Sequence, residues 1–538
     1  MSDNTQEPTE PSNRGLVMRA AGLVGAAVLL SRIVGLGRDM VTKYYLGVTS
    51  LEASAFDAAS QFPETIFLII AGGAIGSAFI PTFAAYFAQD DAAGGWRLFS
   101  AIANMVTVAM ILICSFFIWL APQFVAWFFP ELITAEPDFL PLTVQLMRIM
   151  LLSPIIFGAS GVTMAALNAR QHFLLPALAP SVYNLGIIGG AILWPTEAKE
   201  IGLAWGTVIG AAGHLAIQLP GLKQKEASYQ PVLTLRDRGV QQVLRLMAPR
   251  VLGLSFSEIN KWVTLFLSGL MPVGSIPALR LALRLMIMPQ GILGQAMGIA
   301  AFPTLAELAA RQQWAEMRQI VVDSLRMMLF LGIPASIFLM TLRQPLIVIL
   351  FERGEFSATD TALVAWAILF YGLGLVALTM LEVVARAFYA LSDTLTPVLA
   401  GGAQVLLMAA LSLLFGWLLF PALGWEPLGG LALAFSLSNF LEVGLLLWLL
   451  WRRLRGLNGR YLLDGLLRMG LAGLLMAGLI ELLLWQLAAT SVWLQAAVGV
   501  VAGGLLYLLA CALLRVAELD LIWQQISKRL ARRRNRAQ

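Results

Sequence analysis

Apolar segments of about twenty residues follow one another along almost the whole chain. A helix needs about 20 apolar residues to cross the hydrocarbon core of a bilayer, and a window of about 19 residues finds about fourteen such segments here. The composition agrees, because 59% of the residues are hydrophobic and only 12% are charged. Since a backbone in lipid must satisfy its own hydrogen bonds, these segments predict an all-α polytopic membrane protein.

Cations are distributed unevenly between the two sets of loops. An even number of spans places both termini on one side, and loops after even-numbered spans are rich in Lys and Arg: Arg97, Arg170, Lys223, Lys225, Arg236, Arg238, Arg245, Arg311, Arg318, Arg386, Arg452, Arg453, Arg455 and Arg460. Loops after odd-numbered spans carry only Lys43, Lys199, Arg343 and Arg353. The positive-inside rule therefore predicts that both termini are cytoplasmic.

Two internal matches indicate a repeat. The segment from Ala166 to Ala179 matches the later segment from Ala387 to Ala400 at six of fourteen positions. Separately, the Pro-Thr pair at Pro81 recurs at Pro303, with almost the same offset along the chain. The offset contains six spans, so the pattern predicts two like-oriented six-helix lobes related by a pseudo-twofold axis along the membrane normal, followed by two further helices.

The predicted organisation has six parts. These are a disordered cytoplasmic tail (1–15), an N-lobe (16–222), a cytoplasmic linker (223–245), a C-lobe (246–460), two appended spans (461–516) and a basic cytoplasmic tail (517–538). Bent helices are expected near Gly35 and Gly37, around Pro63 and the run 71–76, and at Pro289, because Gly and Pro at membrane depth interrupt regular helices.

Five cations lie inside otherwise apolar spans: Arg32, Arg38, Lys261, Arg280 and Arg284. Each costs roughly 2.5 to 3.5 kcal/mol at the centre of an inserted helix, so the set would cost about 12 to 17 kcal/mol in lipid. Snorkelling near helix ends explains single residues of this kind. For the whole set we favour a wet cavity that an anionic ligand enters.

The cations outnumber the nearby acids. Asp39 adjoins Arg38, and Glu258 precedes Lys261 by one helical turn, so both acids are candidate charge partners. Even with one pair per acid, a surplus of about three positive charges remains. Arginine presents a planar fork of donors that suits phosphate, so a diphosphate head group matches this surplus. If every cation were paired internally, the cluster would be structural.

Several motifs resemble the MurJ/MviN family of lipid II flippases, in register from about residue 16 to residue 460: Ser31-Arg-Ile-Val-Gly-Leu-Gly-Arg-Asp39, Leu167-Asn to Pro180, Arg284-Leu-Met with Pro289-Gln-Gly-Ile-Leu-Gly294, Leu350-Phe-Glu-Arg-Gly-Glu-Phe356, and Phe388 to Pro397. The resemblance implies fourteen helices in two lobes and transport of undecaprenyl-diphosphate-linked peptidoglycan precursor to the outer leaflet. It further implies that Arg32, Arg38 and Arg284 are cavity arginines and that the last two spans hold the lipid tail.

The chain departs from the family pattern at three places. Phe67 or Leu68 stands where the family has a further arginine, Ile287 replaces an acid after Arg284, and Ser54 replaces another acid. These differences leave the exact head group open. They also suggest the hypothesis that Lys261 and Arg280 replace the missing cation.

Catalytic chemistry finds no support in the sequence. The two histidines, His172 and His214, and the two cysteines, Cys114 and Cys511, lie in separate segments and are interpreted as packing or interfacial residues. No metal site, cofactor or nucleic-acid partner is predicted. The alternatives are a polysaccharide-lipid flippase or a multidrug exporter of the same superfamily. Membrane lipids and cell-wall synthesis proteins are the remaining expected partners.

Overall fold

The computed structural model describes residues 13–69 and 75–520 of the chain. These residues are 85% helical and include no strand. The chain divides after Ile259 into two compact units, which we call unit 1 and unit 2.

Unit 1 contains ten helices among its described residues, together with the first part of an eleventh: α1 (Asn13–Leu46), α2 (Leu51–Ile69), α3 (Ile75–Ala88), α4 (Ala92–Phe128), α5 (Pro130–Ala135), α6 (Phe139–Met150), α7 (Leu152–Ala169), α8 (Leu174–Leu193), α9 (Lys199–Ala216), α10 (Leu219–Gln224) and α11 (Arg238–Ser268). An aromatic cluster centred on Phe79, Phe83 and Trp96 packs α3 against α4, with ring centroids 4.9 to 5.4 Å apart. Residues 71–74 of the run 71–76, where a bent helix was expected, lie outside the described residues.

Unit 2 contains the rest of α11 and nine more helices in the described part of the chain: α12 (Ser275–Ala310), α13 (Trp314–Thr341), α14 (Arg343–Phe351), α15 (Ala358–Ala390), α16 (Leu395–Leu413), α17 (Phe420–Ala422), α18 (Leu428–Arg453), α19 (Gly459–Gln486) and α20 (Val492–Leu513). A π-helical segment, Leu414–Leu419, joins α16 to α17. The core of unit 2 packs α13 and α15 against α18, α19 and α20, around Leu325, Val383 and Met476.

Eleven helical segments of the described residues are long and apolar enough to cross a membrane: Ala92–Phe128, Phe139–Ala169, Leu174–Leu193, Lys199–Gln224, Ser275–Gln295, Trp314–Thr341, Ala358–Ala390, Leu395–Ala422, Leu428–Arg453, Gly459–Gln486 and Val492–Leu513. The all-α polytopic class is therefore confirmed. The other three predicted spans fall on α1, on α2 with α3, and on α11. The number fourteen and the lobe symmetry stay predictions, as do the six domain boundaries.

The internal repeat has a structural counterpart in two pairs of turns. Gln171, after α7, and Ser392, after α15, both have φ of 58° and follow the two copies of the first repeated motif at the same place. Asp90, after α3, and Gln312, after α12, both have φ of 57°. They are separated along the chain by the same offset as the two copies of the second motif. The carbonyls of Leu167 and Phe388 accept equivalent bonds of 2.9 and 3.0 Å from residues five positions later. A left-handed residue thus follows both copies of each motif, as it also follows α10, α18 and α20 at Glu226, Arg455 and Arg515.

Lys43 and Lys199, which the charge pattern assigns to loops, are both buried and bonded to other protein groups. Lys43 is buried in the last turn of α1, where its Nζ lies 2.8 Å from Asp57 of α2. Lys199 is the first residue of α9, and its Nζ donates to the carbonyls of Ala191 and Trp194 at 2.9 and 2.7 Å. The other two cations of that set also contact backbone carbonyls. Arg343, the first residue of α14, donates from Nη1 to Met340 O, and Arg353 donates from Nη2 to Ile349 O.

Glycines allow α8 and α9 to pack backbone against backbone. A Cβ atom at Gly186 would lie 2.3 Å from the Cα atom of Gly210, and one at Gly190 would lie 2.2 Å from the carbonyl oxygen of Gly202. Lipid tails are as apolar as leucine, so helices in a bilayer associate mainly through such close packing of small residues. This contact is therefore a main determinant of how α8 and α9 pack.

We predict that Gly190→Ala destabilises unit 1 by about 1 to 3 kcal/mol, because the added methyl group overpacks the α8–α9 contact. Gly189 is the matched control, since a Cβ atom there meets nothing within 4 Å. Gly189→Ala should leave the melting temperature of the purified protein unchanged or raise it slightly, through its higher helix propensity. Equal melting temperatures for the two variants would contradict the packing interpretation.

Within unit 2, a buried ion pair joins the segment after α20 to α13. Arg326 of α13 is 1% exposed, and Glu518, five residues after α20, is 3% exposed. Arg326 Nε and Nη2 donate to the two carboxylate oxygens, the latter at 2.9 Å. The guanidinium also lies 3.8 Å from the ring centroid of Tyr461 in α19. A Cβ atom at Gly465 would lie 2.9 Å from the guanidinium carbon, so this glycine makes room for the cation.

Removing one partner of this pair should leave an uncompensated buried charge. We predict that Arg326→Met lowers the free energy of unfolding by roughly 3 to 5 kcal/mol, and that adding Glu518→Met recovers most of the loss. Arg311→Met is the control, because the Arg311–Glu307 pair is more than half exposed and should contribute at most about 1 kcal/mol. Thermal unfolding in detergent would measure all three. A double variant as unstable as Arg326→Met would contradict the prediction.

Candidate functional site

Arg32 lines an open groove on unit 1. The groove has a volume of about 600 Å³ and is lined by Val24, Val28, Ser31 and Arg32 of α1, Met164 and Asn168 of α7, and Phe173, Pro176, Ala177 and Pro180 at the start of α8. Arg32 is its one charged lining residue and is exposed. Within residues 13–69 and 75–520 it makes no hydrogen bond or ion pair. The groove therefore presents a complete set of guanidinium donors to an incoming anion.

Arg38 is partly neutralised by its neighbour. Its Nε and Nη2 groups donate to Asp39 Oδ1 at 3.2 and 2.8 Å, and both side chains are mostly buried. The pair uses two of the five N–H donors of the guanidinium. The carboxylate thus orients Arg38 and reduces its net charge, while the remaining N–H groups stay able to donate to a ligand.

Three candidate cations belong to unit 2. Lys261 lies in α11 and is exposed, whereas Arg280 and Arg284 lie in α12 and are half-buried. Residues four apart share one face of a helix, so Arg280 and Arg284 project from the same side of α12. Glu258, the candidate partner of Lys261, is 3% exposed in α11. The five cations thus form two groups, one in each unit.

The position where the resemblance expects a further arginine is occupied by an aromatic cluster. The Phe67 ring packs against Phe157, with centroids 4.3 Å apart, and its edge approaches the His214 ring at 6.3 Å. His214 is buried, and its Nδ1 lies 2.7 Å from Ser160 Oγ. This part of unit 1 is therefore filled by packed rings and one histidine whose ring is hydrogen-bonded, as the packing interpretation of His214 predicts.

Unit 2 contains two polar networks that the sequence analysis missed. In the first, Gln290 of α12 donates to Glu382 Oε1 at 3.2 Å, and Arg386 Nη1 donates to Glu382 Oε2 at 2.6 Å. A Cβ atom at Gly298 would lie 1.9 Å from Arg386 Nη1, so α12 accommodates this cation at a glycine. The only signal in the sequence was a Glu and an Arg four residues apart on α15, a spacing at which oppositely charged side chains meet.

The second network consists of amides and hydroxyls. Asn260 Nδ2 donates to Gln404 Oε1 at 2.8 Å, and Gln404 Nε2 donates to Ser438 Oγ at 2.9 Å, which links α11, α16 and α18. The sequence does not indicate these partners, because Asn260 and Gln404 are 144 residues apart and Gln404 and Ser438 are 34 residues apart. Interhelical bonds of this type contribute about 1 kcal/mol in a bilayer.

The described residues contain no group of three or more His, Cys, Asp or Glu side chains that could hold a metal ion. Cys114 and Cys511 are both buried and unpaired with each other. The described helices define an all-helical, multi-pass membrane protein.

Comparison with known proteins identifies the family. The family model described as lipid II flippase MurJ matches residues 42–497, which is well over half of the chain. The chain therefore belongs to the lipid II flippase MurJ family, a family of transporters. The family resemblance inferred from the motifs is confirmed.

Two curated relatives agree with this assignment. The probable lipid II flippase MurJ of Vibrio cholerae serotype O1 is 28% identical over 438 residues, which cover 80% of this chain and 82% of the relative. The lipid II flippase MurJ of Burkholderia cenocepacia is 28% identical over 388 residues, covering 71% of this chain and 75% of the relative.

Solved structures support the fold. A lipid II flippase MurJ in an inward closed conformation has a TM-score of 0.75 at 24% identity, covering 93% of this chain and 99% of that structure. An inward-facing multidrug resistance transporter of the MATE family, in the MOP superfamily, has a TM-score of 0.63 at 14% identity, covering 79% and 98%. The fold is thus shared with exporters of other substrates, so fold alone does not select the ligand.

Proposed function

We propose that this protein flips lipid II, the undecaprenyl-diphosphate-linked peptidoglycan precursor, from the cytoplasmic to the outer leaflet of the bacterial inner membrane. The observation that carries the proposal is the family match over residues 42–497. The cations fit the same ligand, because a transporter of organic cations would need carboxylates in its cavity rather than exposed guanidinium groups such as Arg32.

In this proposal the diphosphate is bound by Arg32, Arg38, Arg284, Arg280 and Lys261. Arg32 offers unoccupied donors on the groove of unit 1. Arg38 is oriented by Asp39 and keeps free N–H groups. Hydrogen bonds to charged groups contribute roughly 1.5 to 3 kcal/mol each, so loss of one arginine should weaken diphosphate binding by about 10- to 150-fold.

Transport by alternating access requires no covalent step. The lobes exchange between two arrangements, and a ligand shifts that equilibrium by its difference in affinity for the two. The proposed architecture has fourteen spans, with two six-helix lobes related by an axis along the membrane normal and both termini in the cytoplasm. The positive-inside distribution of loop cations supports this orientation. Proteins of cell-wall synthesis are proposed partners.

Depletion of the protein in its host, followed by measurement of lipid-linked precursor in each leaflet, tests the function. We expect precursor to accumulate in the cytoplasmic leaflet and wild type to restore transport, whereas Arg284→Ala should not, because the diphosphate loses a charged donor. Arg311→Ala is the matched control at the end of the same helix, since Arg311 follows the last residue of α12 and is exposed. Both variants must be present in the membrane at the wild-type level.

An unchanged leaflet distribution after depletion would refute the flippase assignment. If the depleted cells instead retained a cationic drug, the multidrug-exporter alternative would replace it. Accumulation of a different lipid-linked glycan would indicate the polysaccharide-lipid alternative.

A second variant tests whether Lys261 and Arg280 compensate for the missing arginine near Phe67. We expect the double variant Lys261→Ala/Arg280→Ala to reduce precursor transport at least tenfold, because two of the proposed phosphate ligands are lost. Arg32→Ala serves as the positive reference for loss of transport. Normal transport in the double variant, combined with loss in Arg32→Ala, would show that the two residues do not compensate.

A further inference from the structure

The segment between α10 and α11 lies along unit 1 as an extended strap, which we define as residues 225–237. Asn104 of α4 holds it: its Nδ2 donates to the carbonyls of Gln230 and Val232 at 3.2 and 3.0 Å, and its Oδ1 accepts from Tyr229 Oη at 2.7 Å. Ser100 Oγ accepts a further bond of 3.0 Å from the backbone N–H of Gln230. The strap backbone is thus fixed to α4 over several residues.

One edge of the strap is apolar and faces outward. Tyr229, Leu233 and Leu235 are 63%, 63% and 62% exposed, and Pro231 between them is exposed as well. Gln230, Val232 and Thr234 alternate with them and are half-buried. This period of two is the pattern of an extended chain with two distinct faces. An apolar face outside the spanning helices is stable where it meets the interface of a bilayer.

The outward-facing residues Tyr229, Pro231 and Leu233 also line a second groove of unit 1, which we call the strap groove. Its volume is about 550 Å³, and its walls come from α4, α7, α9, α10 and the strap. The walls are mainly apolar, with Val108, Ala159, Leu215 and Leu219 among them, and Asn104 and Tyr229 supply polar groups. A groove with such walls suits a hydrocarbon chain.

Cations without acidic partners in the described part of the chain lie close in sequence to residues that line the strap groove. Lys223 follows the lining residue Leu222, and Arg236 lies three residues beyond the lining residue Leu233. Lys223, Lys225, Arg236 and Arg238 form no ion pair within the described part of the chain. In contrast, Lys43 and Arg326 are both paired with carboxylates. Unpaired cations next to an apolar groove are complementary to an anionic head group attached to an acyl chain.

We propose that the strap groove binds an anionic phospholipid of the surrounding membrane. One acyl chain lies between α4, α7 and α10, and the phosphate is held by Lys223, Lys225 and Arg236. The bound lipid shields the apolar edge of the strap and neutralises these cations. The site is separate from the Arg32 groove, which other residues of unit 1 line, so the proposal does not depend on the transport substrate.

Native mass spectrometry of the full-length protein, titrated in detergent with phosphatidylglycerol or with phosphatidylcholine of the same acyl chains, tests the proposal. We expect wild type to retain phosphatidylglycerol in preference to phosphatidylcholine. The triple variant Lys223→Gln/Lys225→Gln/Arg236→Gln should bind phosphatidylglycerol roughly 10- to 100-fold more weakly, since each cation near a lipid surface contributes about 1 kcal/mol. The matched triple variant Arg452→Gln/Arg455→Gln/Arg460→Gln removes three exposed cations from the end of α18, the loop after it and the start of α19, and should bind like wild type.

Two further measurements complete the test: binding by the Ala159→Leu variant, and competition with undecaprenyl phosphate. Ala159→Leu narrows the strap groove without changing charge and should also weaken binding, while its melting temperature reports whether the fold is retained. Equal loss in both triple variants, equal affinity for the two lipids, or normal binding by Ala159→Leu would overturn the proposal. Displacement of phosphatidylglycerol by undecaprenyl phosphate would overturn it too, because the groove would then belong to the carrier lipid.

Discussion

The energetic penalty for a charge at membrane depth organises this structure. Desolvation of an ion costs several kcal/mol unless a partner is close, and breaking one partner of a buried pair costs about as much. Most buried cations accordingly have a carboxylate in contact, either on the same helix or on another: Arg38–Asp39, Lys43–Asp57, Arg386–Glu382 and Arg326–Glu518. Arg32 differs, since it lies exposed on a groove without such a partner. Arg32 therefore keeps all of its N–H donors for the proposed diphosphate, whereas Arg38, which is also a proposed ligand, shares its charge with Asp39.

Small residues provide the space that these interactions need. Gly465 leaves room for the Arg326 guanidinium, and Gly298 does the same for Arg386. At the α8–α9 contact, Gly190 and Gly202 bring two backbones together directly. Without a hydrophobic driving force between helices in lipid, close packing and polar contacts must supply specificity. Glycine allows both close backbone packing and the burial of a large cation, because it has no side chain to keep the adjacent helix or cation at a distance.

Some features were predictable because they depend on neighbouring residues alone. Hydropathy located eleven helical segments that the structure shows to be long and apolar enough to cross a membrane. Pairing of charges between distant parts of the chain was not predictable in this way. Lys43 looked like a loop cation because its partner, Asp57, lies on the next helix. The Arg326–Glu518 pair joins residues 192 positions apart, a distance over which no sequence pattern operates.

The sequence by itself determined the membrane class, the positions of the spans and the identity of the cations available to bind an anion, because hydropathy and charge are properties of each segment. Only the tertiary structure decided which cations are neutralised. It paired Lys43 with Asp57 and Arg326 with Glu518, left Arg32 on a groove, and held the strap to α4 through Asn104. The physical reason is that Coulomb and hydrogen-bond energies depend on distances of a few ångströms between atoms, which folding sets and sequence separation does not.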